Sequence, residues 1–328
     1  MTLLAVKDLT VSVKAGASTA PIVDGLSFQI AAGRCLGIVG ESGSGKSSVA
    51  LAVMGLLNGE ALQVGGRVEL DGTDLVSLSP AQLRVRQGRD IAMIFQDPGS
   101  SLNPVQRVGT QIVESLRAHQ KISGSEATRR AIEALARVGM PDPKGMLRRY
   151  PHQLSGGQRQ RVMIAMAVIL KPRLLVADEP TTALDLTIQA QILVLLKDLV
   201  RETGMALLLI SHDLGVVAEM ADDLIVLYAG RAVETGPVAQ VLDAPRHPYT
   251  IGLMAARPDM DQPQVRLVPI PGTPPRLWQR PSGCAFHPRC SRATDLCTAS
   301  PPPDMAVGPG QLAACFHTDA QAAAQVPG

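Results

Sequence analysis

A glycine-rich stretch at residues 40–47 has the clearest chemical meaning in this chain. It reads Gly-Glu-Ser-Gly-Ser-Gly-Lys-Ser, which fits the phosphate-loop pattern G-x-x-x-x-G-K-S. Glycines in such a loop let backbone N–H groups converge on phosphate oxygens where a helix begins. Lys46 would supply a cation for the β and γ phosphates, and the Ser47 hydroxyl would bind Mg²⁺. The residues predicted to contact the nucleotide are Gly40, Glu41, Ser42, Gly43, Ser44, Gly45, Lys46, Ser47 and Ser48.

Two carboxylates end an apolar segment further along the chain. Residues 174–177 are Leu-Leu-Val-Ala, and Asp178 and Glu179 follow directly. A buried parallel strand that ends in this way places the acids where α/β proteins bind their ligands. We expect Asp178 to hold Mg²⁺, and Glu179 to polarise an attacking water as a general base.

Two other polar residues follow apolar strand-like segments in the same manner. His212 comes after Ser211 and the segment 206–210, and Gln96 directly follows the segment 91–95. An imidazole at this edge can contact the γ-phosphate, and an amide can sense both Mg²⁺ and the attacking water. A lone histidine is more often a structural residue, so this role for His212 depends on the other motifs.

Positioning these residues requires a largely parallel sheet with helices between its strands. Strand patterns at 174–177, 206–210 and 223–228 alternate with helical segments, which is typical of α/β proteins. Before them, strands are predicted at 3–13 and 26–30, and a hairpin at 65–70. Within 105–170, apolar residues recur at helical spacing, which predicts a helical insert.

Composition excludes several classes of function. With 328 residues and 46% hydrophobic content, the chain can bury a full core and still carry an appendage. A net charge of +2 and 2% aromatic residues give no reason to expect nucleic acid as a partner. The longest purely apolar run, residues 162–170, is far too short to span a bilayer. No signal peptide is visible, so the sequence favours a cytosolic protein.

The C-terminal part has a different character. Prolines gather after Arg257 and the periodicity is lost, so we place a domain boundary between 1–257 and 258–328. The second part is predicted to be an irregular, cysteine-containing extension with a disordered tail at 320–328. Cys35 is predicted to be a small buried residue. In a reducing compartment, clustered cysteines suggest a metal before disulfides, but close Cys-x-x-Cys pairs are absent. The four cysteines of this part are Cys284, Cys290, Cys297 and Cys315.

A further short motif, Leu-Ser-Gly-Gly-Gln at residues 154–158, lies between the phosphate loop and Asp178-Glu179. These three motifs, together with Gln96, the Leu-Asp pair at 184–185 and His212, resemble the ATP-binding subunit of ABC transporters. The resemblance covers residues 1 to about 257. The resemblance implies a P-loop NTPase of ABC type, with a parallel-sheet core, an antiparallel β subdomain and a helical subdomain. It also implies that two such domains pair head to tail around two ATP molecules. Ser155, Gly156, Gly157 and Gln158 would then contact ATP held by the other subunit, and Asp185 would lie at the dimer seam.

Several segments narrow the resemblance to importers of oligopeptides and dipeptides. They are residues 96–104, where the membrane subunit would dock, residues 246–250 and 270–272, and the cysteine pattern. This resemblance implies two transmembrane permease subunits, a second ATPase subunit that is identical or paralogous, and a periplasmic or extracellular substrate-binding protein. The chain would work at the cytoplasmic face of the bacterial inner membrane. Import of nickel or opines is an alternative, and a soluble ABC ATPase outside transport is a more distant one.

Two features of the site stay open at this point. In some members of the subfamily the four cysteines hold a 4Fe–4S cluster, whereas zinc, with His287 or His317, and free thiols are the alternatives. ABC ATPases usually stack an upstream aromatic ring on adenine, but residues 1–27 contain no Phe, Tyr or Trp. Aliphatic contact from Val13 or Ile22 is the hypothesis here, and weak discrimination between bases follows from it.

Overall fold

The computed structural model describes residues 2–16, 18–57, 59, 61–182, 184–256 and 269–318. The strands are β1 Thr2–Ala15, β2 Ser18–Ala31, β3 Cys35–Val39, β4 Leu62–Leu70, β5 Thr73–Asp74, β6 Ile91–Ile94, β7 Leu174–Asp178, β8 Ala206–Ile210, β9 Asp223–Tyr228, β10 Arg231–Pro237, β11 Asp304–Gly308 and β12 Gln311–Ala314. The helices are α1 Lys46–Val53, α2 Pro80–Arg86, α3 Pro98–Ser101, α4 Val108–Arg117, α5 Gly124–Arg137, α6 Pro143–Met146, α7 Gly156–Val168, α8 Leu186–Thr203, α9 Leu214–Met220, α10 Val238–Asp243, α11 Pro248–Ala255 and α12 Asp295–Ala299.

The larger sheet has the strand order β11-β12-β10-β9-β3-β8-β7-β6. Strands β9, β3, β8, β7 and β6 are parallel to one another, and β10, β12 and β11 join them in antiparallel fashion. Every residue of β3, β7 and β8 is buried, because elements cover both faces of the sheet. This parallel core confirms the α/β prediction, and the carboxyl ends of its strands form one edge.

Alternate residues of the central strands belong to two separate cores. Leu207 and Leu209 of β8 pack into one hydrophobic cluster, whereas Leu208 and Ile210 pack into the other. This alternation follows from the two-residue period of a strand. The sheet therefore lies between two apolar layers, which fix the strand that leads into each candidate site residue.

A second sheet, of order β2-β1-β4-β5, is antiparallel. Its buried residues and those of α1 share one apolar cluster, which includes Val6, Val11, Val49 and Val53. The hairpin expected at 65–70 exists as β4 and β5, in which Leu70 pairs with Thr73. Because this sheet packs onto α1, it supports the helix that begins at the phosphate loop.

The predicted helical insert contains α4, α5, α6 and α7. The amphipathic faces of α4 and α5 bury residues such as Ile112 and Leu135, which join the same apolar cluster as α7. Ser123 caps α5, since its hydroxyl accepts a hydrogen bond from the backbone N–H of Glu126 at 3.3 Å. The insert thus packs as a helical layer that ends in the Leu154–Gln158 segment and its helix.

The C-terminal extension is more ordered than its composition suggested. It contains short 3₁₀ turns, the helix α12 and a hairpin of β11 and β12, and β12 pairs with β10 of the main sheet. Glu234 of β10 is 1% exposed, and its carboxylate accepts hydrogen bonds from the Gln311 side chain at 2.8 Å and the His247 N–H at 2.9 Å. The extension is therefore joined to the main sheet, although we had expected an irregular segment.

Two predictions concern residues outside the described ranges. The boundary at 257–258 falls in the gap between 256 and 269, and the tail at 320–328 follows the last described residue. In the part of the chain that is described, no helix is long and apolar enough to cross a membrane.

Candidate active site

The phosphate loop connects β3 to α1, and its backbone needs glycine at both ends. Gly40 has φ 156°, and a side chain there would begin 2.1 Å from the carbonyl oxygen of Leu227. Gly45 has φ 103°, and a Cβ atom would lie 2.8 Å from the carbonyl oxygen of Ile22. L-residues with side chains rarely adopt these conformations. The loop is therefore held tightly between β9 and β2, at the beginning of α1.

Lys46 is buried and points back into its own loop. Its Nζ donates hydrogen bonds to the carbonyl oxygens of Gly40 at 2.8 Å and Glu41 at 3.0 Å. Burial lowers the pKa of the ammonium, while the nearby carboxylates of Glu179, Asp178 and Glu41 act in the opposite direction. A cation held over the loop in this way is placed to meet an anionic ligand.

Ser47 and Asp178 form a pair that suits a divalent cation. The Ser47 hydroxyl donates a hydrogen bond to Asp178 Oδ1 at 3.2 Å. Hydroxyl and carboxylate oxygens are the kind of ligand that Mg²⁺ accepts, and it completes its shell with water and phosphate. Burial raises the pKa of Asp178, which is the expected cost of a carboxyl placed here without a cation. The two residues thus fit the predicted Mg²⁺ site.

Glu179 lies at the centre of a hydrogen-bonded cluster. Its Oε2 accepts a hydrogen bond from Gln96 Nε2 at 2.8 Å and from Thr182 Oγ1 at 2.9 Å, and lies 3.2 Å from His212 Nδ1. The residue has φ 47°, an unusual backbone conformation for glutamate, and its N–H is bonded to the Ile210 carbonyl.

Burial alone would raise the pKa of Glu179. Hydrogen bonds from Thr182 and His212, together with the charge of Lys46, outweigh burial, so the pKa lies below its ordinary value. The carboxylate is therefore charged at neutral pH and is held in a fixed orientation. The structure places Gln96, Asp178, Glu179 and His212 together beside the phosphate loop.

The Leu154–Gln158 segment forms the start of α7 and is capped by its own residues. Ser155 Oγ accepts from the Gln158 N–H at 3.3 Å, and Gln158 Oε1 accepts from the Ser155 N–H at 3.1 Å. Within the described part of the chain, no hydrogen bond joins this segment to the phosphate loop. Its exposed helix N-terminus is thus available to an anion from outside the chain.

The loop after Glu179 and the start of α8 pack against that segment. A Cβ atom on Gly157 would lie 2.8 Å from Ile188 Cγ2, so a larger residue would require the Ile188 side chain to move. Asp185 caps α8, since its Oδ1 accepts from the Ile188 N–H at 2.9 Å. Gln160, which is buried in α7, donates from Nε2 to the Pro180 carbonyl at 2.6 Å.

Sequence reasoning missed two residues of this site. Thr182 and Gln160 both fix the loop that carries Glu179, the first through the carboxylate and the second through the backbone. Neither ends a strand nor belongs to a chemical motif that would single it out. Gln160 stands among polar neighbours, between Arg159 and Arg161, so no pattern in the sequence singles it out.

The four cysteines of the extension are free thiols, and Cys284, Cys290 and Cys297 lie close enough to Cys315 to raise its pKa. The backbone N–H of Cys284 donates to the Cys297 carbonyl at 2.8 Å. Two of the sulfurs accept backbone hydrogen bonds: Cys290 Sγ from Arg292 at 3.4 Å, and Cys315 Sγ from His317 at 3.3 Å. Such N–H donors stabilise thiolate ligands in iron–sulfur sites.

Burial raises the pKa of the thiols of Cys284, Cys290 and Cys315. Burial raises the pKa of Cys315 to about 11, and the other three cysteines act in the same direction. Among the residues that the structure describes, no three His, Cys, Asp or Glu side chains are placed to hold a metal ion. His287 and His317 hydrogen-bond to the Cys284 carbonyl and the Thr294 hydroxyl. The metal prediction for the four cysteines is thus not confirmed.

Comparison with known families agrees with the fold and the site. A phosphate loop that leads from a parallel strand into a helix, with an acidic strand end beside it, is the arrangement of P-loop NTPases. Residues 23–182 match the ABC transporter family model, and residues 233–297 match the model described as "Oligopeptide/dipeptide transporter, C-terminal region". The chain belongs to the ABC transporter ATP-binding proteins of this oligopeptide/dipeptide type, and it is an ATP-binding, ATP-hydrolysing enzyme.

Relatives match over nearly the whole chain. The oligopeptide transport ATP-binding protein OppD of Salmonella typhimurium is 48% identical over 96% of this chain and 93% of its own. The dipeptide transport ATP-binding protein DppD of Escherichia coli K12 is 49% identical over 93% and 94%. A dimeric structure of the ATP-binding cassette MJ0796 with ADP and Pi has a TM-score of 0.65 at 28% identity. It covers 72% of this chain and 98% of that one. CbiO1 from Clostridium perfringens has a TM-score of 0.62 at 26% identity and covers 74% and 91%.

Proposed function

We propose that this chain is the ATP-hydrolysing subunit of an importer for dipeptides and oligopeptides, bound to the cytoplasmic face of the bacterial inner membrane. The observation that carries the catalytic part is the convergence of Gln96, Thr182 and His212 on Glu179 Oε2 beside the phosphate loop. The peptide cargo is supported by the relatives named for oligopeptide and dipeptide transport.

In this proposal each residue near the phosphate loop has a distinct task. The backbone of residues 40–48 and Lys46 would bind the phosphates. Ser47, Asp178 and Gln96 would hold Mg²⁺, which would neutralise the negative charge that develops on the phosphates. Glu179 orients the attacking water and accepts its proton. His212, which also contacts the γ-phosphate, keeps that carboxylate charged and in place.

The second half of the site comes from another ATPase subunit, identical or paralogous. Ser155, Gly156, Gly157 and Gln158 present a helix N-terminus that the chain's own phosphate loop does not use. In the proposed head-to-tail dimer this N-terminus contacts the γ-phosphate of the partner's ATP, and Asp185 lies at the seam. The dimeric cassette structures that resemble this fold support such pairing.

Two permease subunits would dock on residues 96–104, and a substrate-binding protein would deliver the peptide. Docking beside Gln96 gives the permease a direct connection to Glu179, because Gln96 Nε2 donates to that carboxylate. Closure of the ATPase dimer on ATP, and its reopening after hydrolysis, would then switch the access of the membrane pathway.

Uptake measurements test the proposal in the native cell. Deletion of this chain is expected to abolish uptake of labelled dipeptides and oligopeptides while free amino acids still enter, and wild-type chain but not Glu179→Gln restores it. Nickel and opine uptake are measured in the same strains. Loss of nickel or opine uptake with normal peptide uptake would refute the cargo, and no transport defect of any kind would favour a soluble ATPase.

We also propose that Cys284, Cys290, Cys297 and Cys315 ligate a 4Fe–4S cluster. Their proximity, partial burial and N–H···S hydrogen bonds support this assignment. Anaerobically purified protein should absorb broadly at about 400 nm through thiolate-to-iron charge transfer. Colourless protein with stoichiometric zinc, or with free thiols alone, would refute it.

A further inference from the structure

A buried arginine of the C-terminal extension contacts the phosphate loop directly. Arg289 Nη1 donates to Glu41 Oε2 at 2.6 Å, and Nη2 donates to Glu41 Oε1 at 2.9 Å. This bidentate salt bridge joins residues 248 positions apart, and the arginine side chain is only 4% exposed. Glu41 is the second residue of the phosphate loop. The extension therefore contacts the nucleotide site through this ion pair.

Arg289 is itself held rigidly. Its Nε donates to the Pro271 carbonyl at 2.8 Å, and Nη1 also donates to the Tyr228 hydroxyl at 3.3 Å. The guanidinium carbon lies 5.8 Å from the ring centroids of both Tyr228 and Phe286. A guanidinium fixed by this many contacts positions its partner, because little side-chain freedom remains to be lost.

Glu41 transmits this position to the loop. Its N–H donates to the Tyr249 hydroxyl at 2.8 Å, and its carbonyl accepts from Lys46 Nζ at 3.0 Å. The carboxylate pair with Arg289 and the Tyr249 contact thus hold this end of the loop.

The Arg289–Glu41 ion pair also changes the electrostatic potential at the nucleotide site. The Glu41 carboxylate is close enough to act on Lys46, the residue that meets the phosphates. An uncompensated carboxylate at this distance would repel ATP, and the guanidinium cancels most of that field. The two effects have the same sign, since both strengthen nucleotide binding.

We propose that Arg289 is a positioning residue for ATP binding that acts through Glu41, by fixing the phosphate loop and neutralising its carboxylate. The inference rests on the ATP-binding activity of the chain and on neither the peptide cargo nor the cluster. It gives the extension a direct role in nucleotide affinity, in addition to its place in the sheet.

Calorimetric titration of the full-length chain with Mg·ATP and Mg·ADP tests the proposal. Arg289→Ala is expected to raise Kd about tenfold, with kcat of the assembled transporter changed less than KM. Arg289→Lys should recover part of the lost ATP affinity, because lysine restores the charge but not the bidentate geometry. Arg289→Ala with Glu41→Gln should bind more tightly than Arg289→Ala alone, since the repelling charge is gone.

Arg280→Ala is the matched control. Arg280 is also a mostly buried arginine of the extension, and it donates to Asp24 Oδ2 at 3.0 Å on β2 rather than to the phosphate loop. Asp24 keeps Arg231 as a partner at 2.9 Å, so this variant should leave Kd within about twofold. Equal weakening by Arg280→Ala would show that general loosening of the extension is responsible, and would overturn the proposal.

Other outcomes are equally decisive. Wild-type affinity in Arg289→Ala, or losses from Arg289→Ala and Glu41→Gln that simply multiply in the double variant, would also overturn it. If Arg289→Ala does not fold, Arg289→Lys and Glu41→Gln carry the test with the contact altered in place. Failure of the wild-type chain to bind ATP would instead refute the ATPase assignment, so the two failures are distinguishable.

Discussion

Replacing Glu179 with glutamine separates the position of this side chain from its basicity. The amide oxygen can keep the place of Oε2, where Gln96, Thr182 and His212 now converge at 2.8–3.2 Å. The side chain should therefore stay where it is, and only the proton acceptor is lost. General-base catalysis contributes on the order of 10²–10⁴ in rate, or about 3–5 kcal/mol of barrier.

We expect kcat of Glu179→Gln to fall by that factor, with Kd for Mg·ATP within about threefold of wild type. Phosphate release in the assembled transporter and calorimetric titration of the subunit measure the two quantities. Glu202→Gln is the control, because it makes the same chemical change in an exposed glutamate that pairs with Arg137 at 2.6 Å. A folded Glu179→Gln enzyme with kcat within about tenfold of wild type would show that the carboxylate is not the base.

Three further predictions concern the Leu154–Gln158 segment, a buried histidine and recognition of the nucleotide base. Gly157→Asp should leave ATP binding by the subunit within about threefold but abolish hydrolysis in the assembled transporter, since it adds a carboxylate where the partner's phosphate approaches; surviving hydrolysis would refute the symmetric composite site. Burial lowers the pKa of His247 to about 3, so only the unfolded chain gains this proton below its ordinary pKa of about 6.5. The contribution of His247 to the free energy of unfolding should thus be nearly constant above pH 6.5. It should fall by about 2 kcal/mol from pH 6.5 to pH 5. Denaturant unfolding of His247→Gln should lack this component, and an unchanged pH slope would contradict it. With aliphatic contact from Val13 or Ile22 in place of an aromatic ring, as the sequence suggests, equilibrium titration should show less than about tenfold preference for ATP over GTP; a larger preference would require another contact.

The parallel core was predictable because its strands are short, apolar and followed by polar residues. Strands β8 and β9 have the bounds that the sequence indicated, 206–210 and 223–228. Strand β2 was expected at 26–30 but begins at Ser18, since its first part carries Ser, Thr and Pro on a partly exposed antiparallel sheet. Hydrogen bonds to β1 stabilise this first part as a strand, although its local sequence does not predict one.

The extension shows why the remainder could not be predicted. The β11–β12 hairpin follows three prolines and has largely exposed side chains on β11, so no alternating apolar pattern marks it. Its stability comes from pairing with β10 and from the buried Glu234–Gln311 contact, which joins residues 77 positions apart. Arg289 escaped notice for the same reason, because an arginine between a proline and a cysteine carries no motif. Chemical motifs identify the atoms that react, whereas long-range contacts identify the residues that hold them.

The pairing of β12 with β10 has a consequence for how this chain can be shortened. Without the extension, β10 would present a row of unpaired N–H and C=O groups to solvent along Thr235 and its neighbours. The buried Glu234 carboxylate would at the same time lose its partner on Gln311. A chain that ends after α11 would therefore have an open sheet edge that can recruit a strand from another molecule. The extension thus pairs β10 and moves this edge of the sheet to β11, a short strand that begins with the charged residue Asp304.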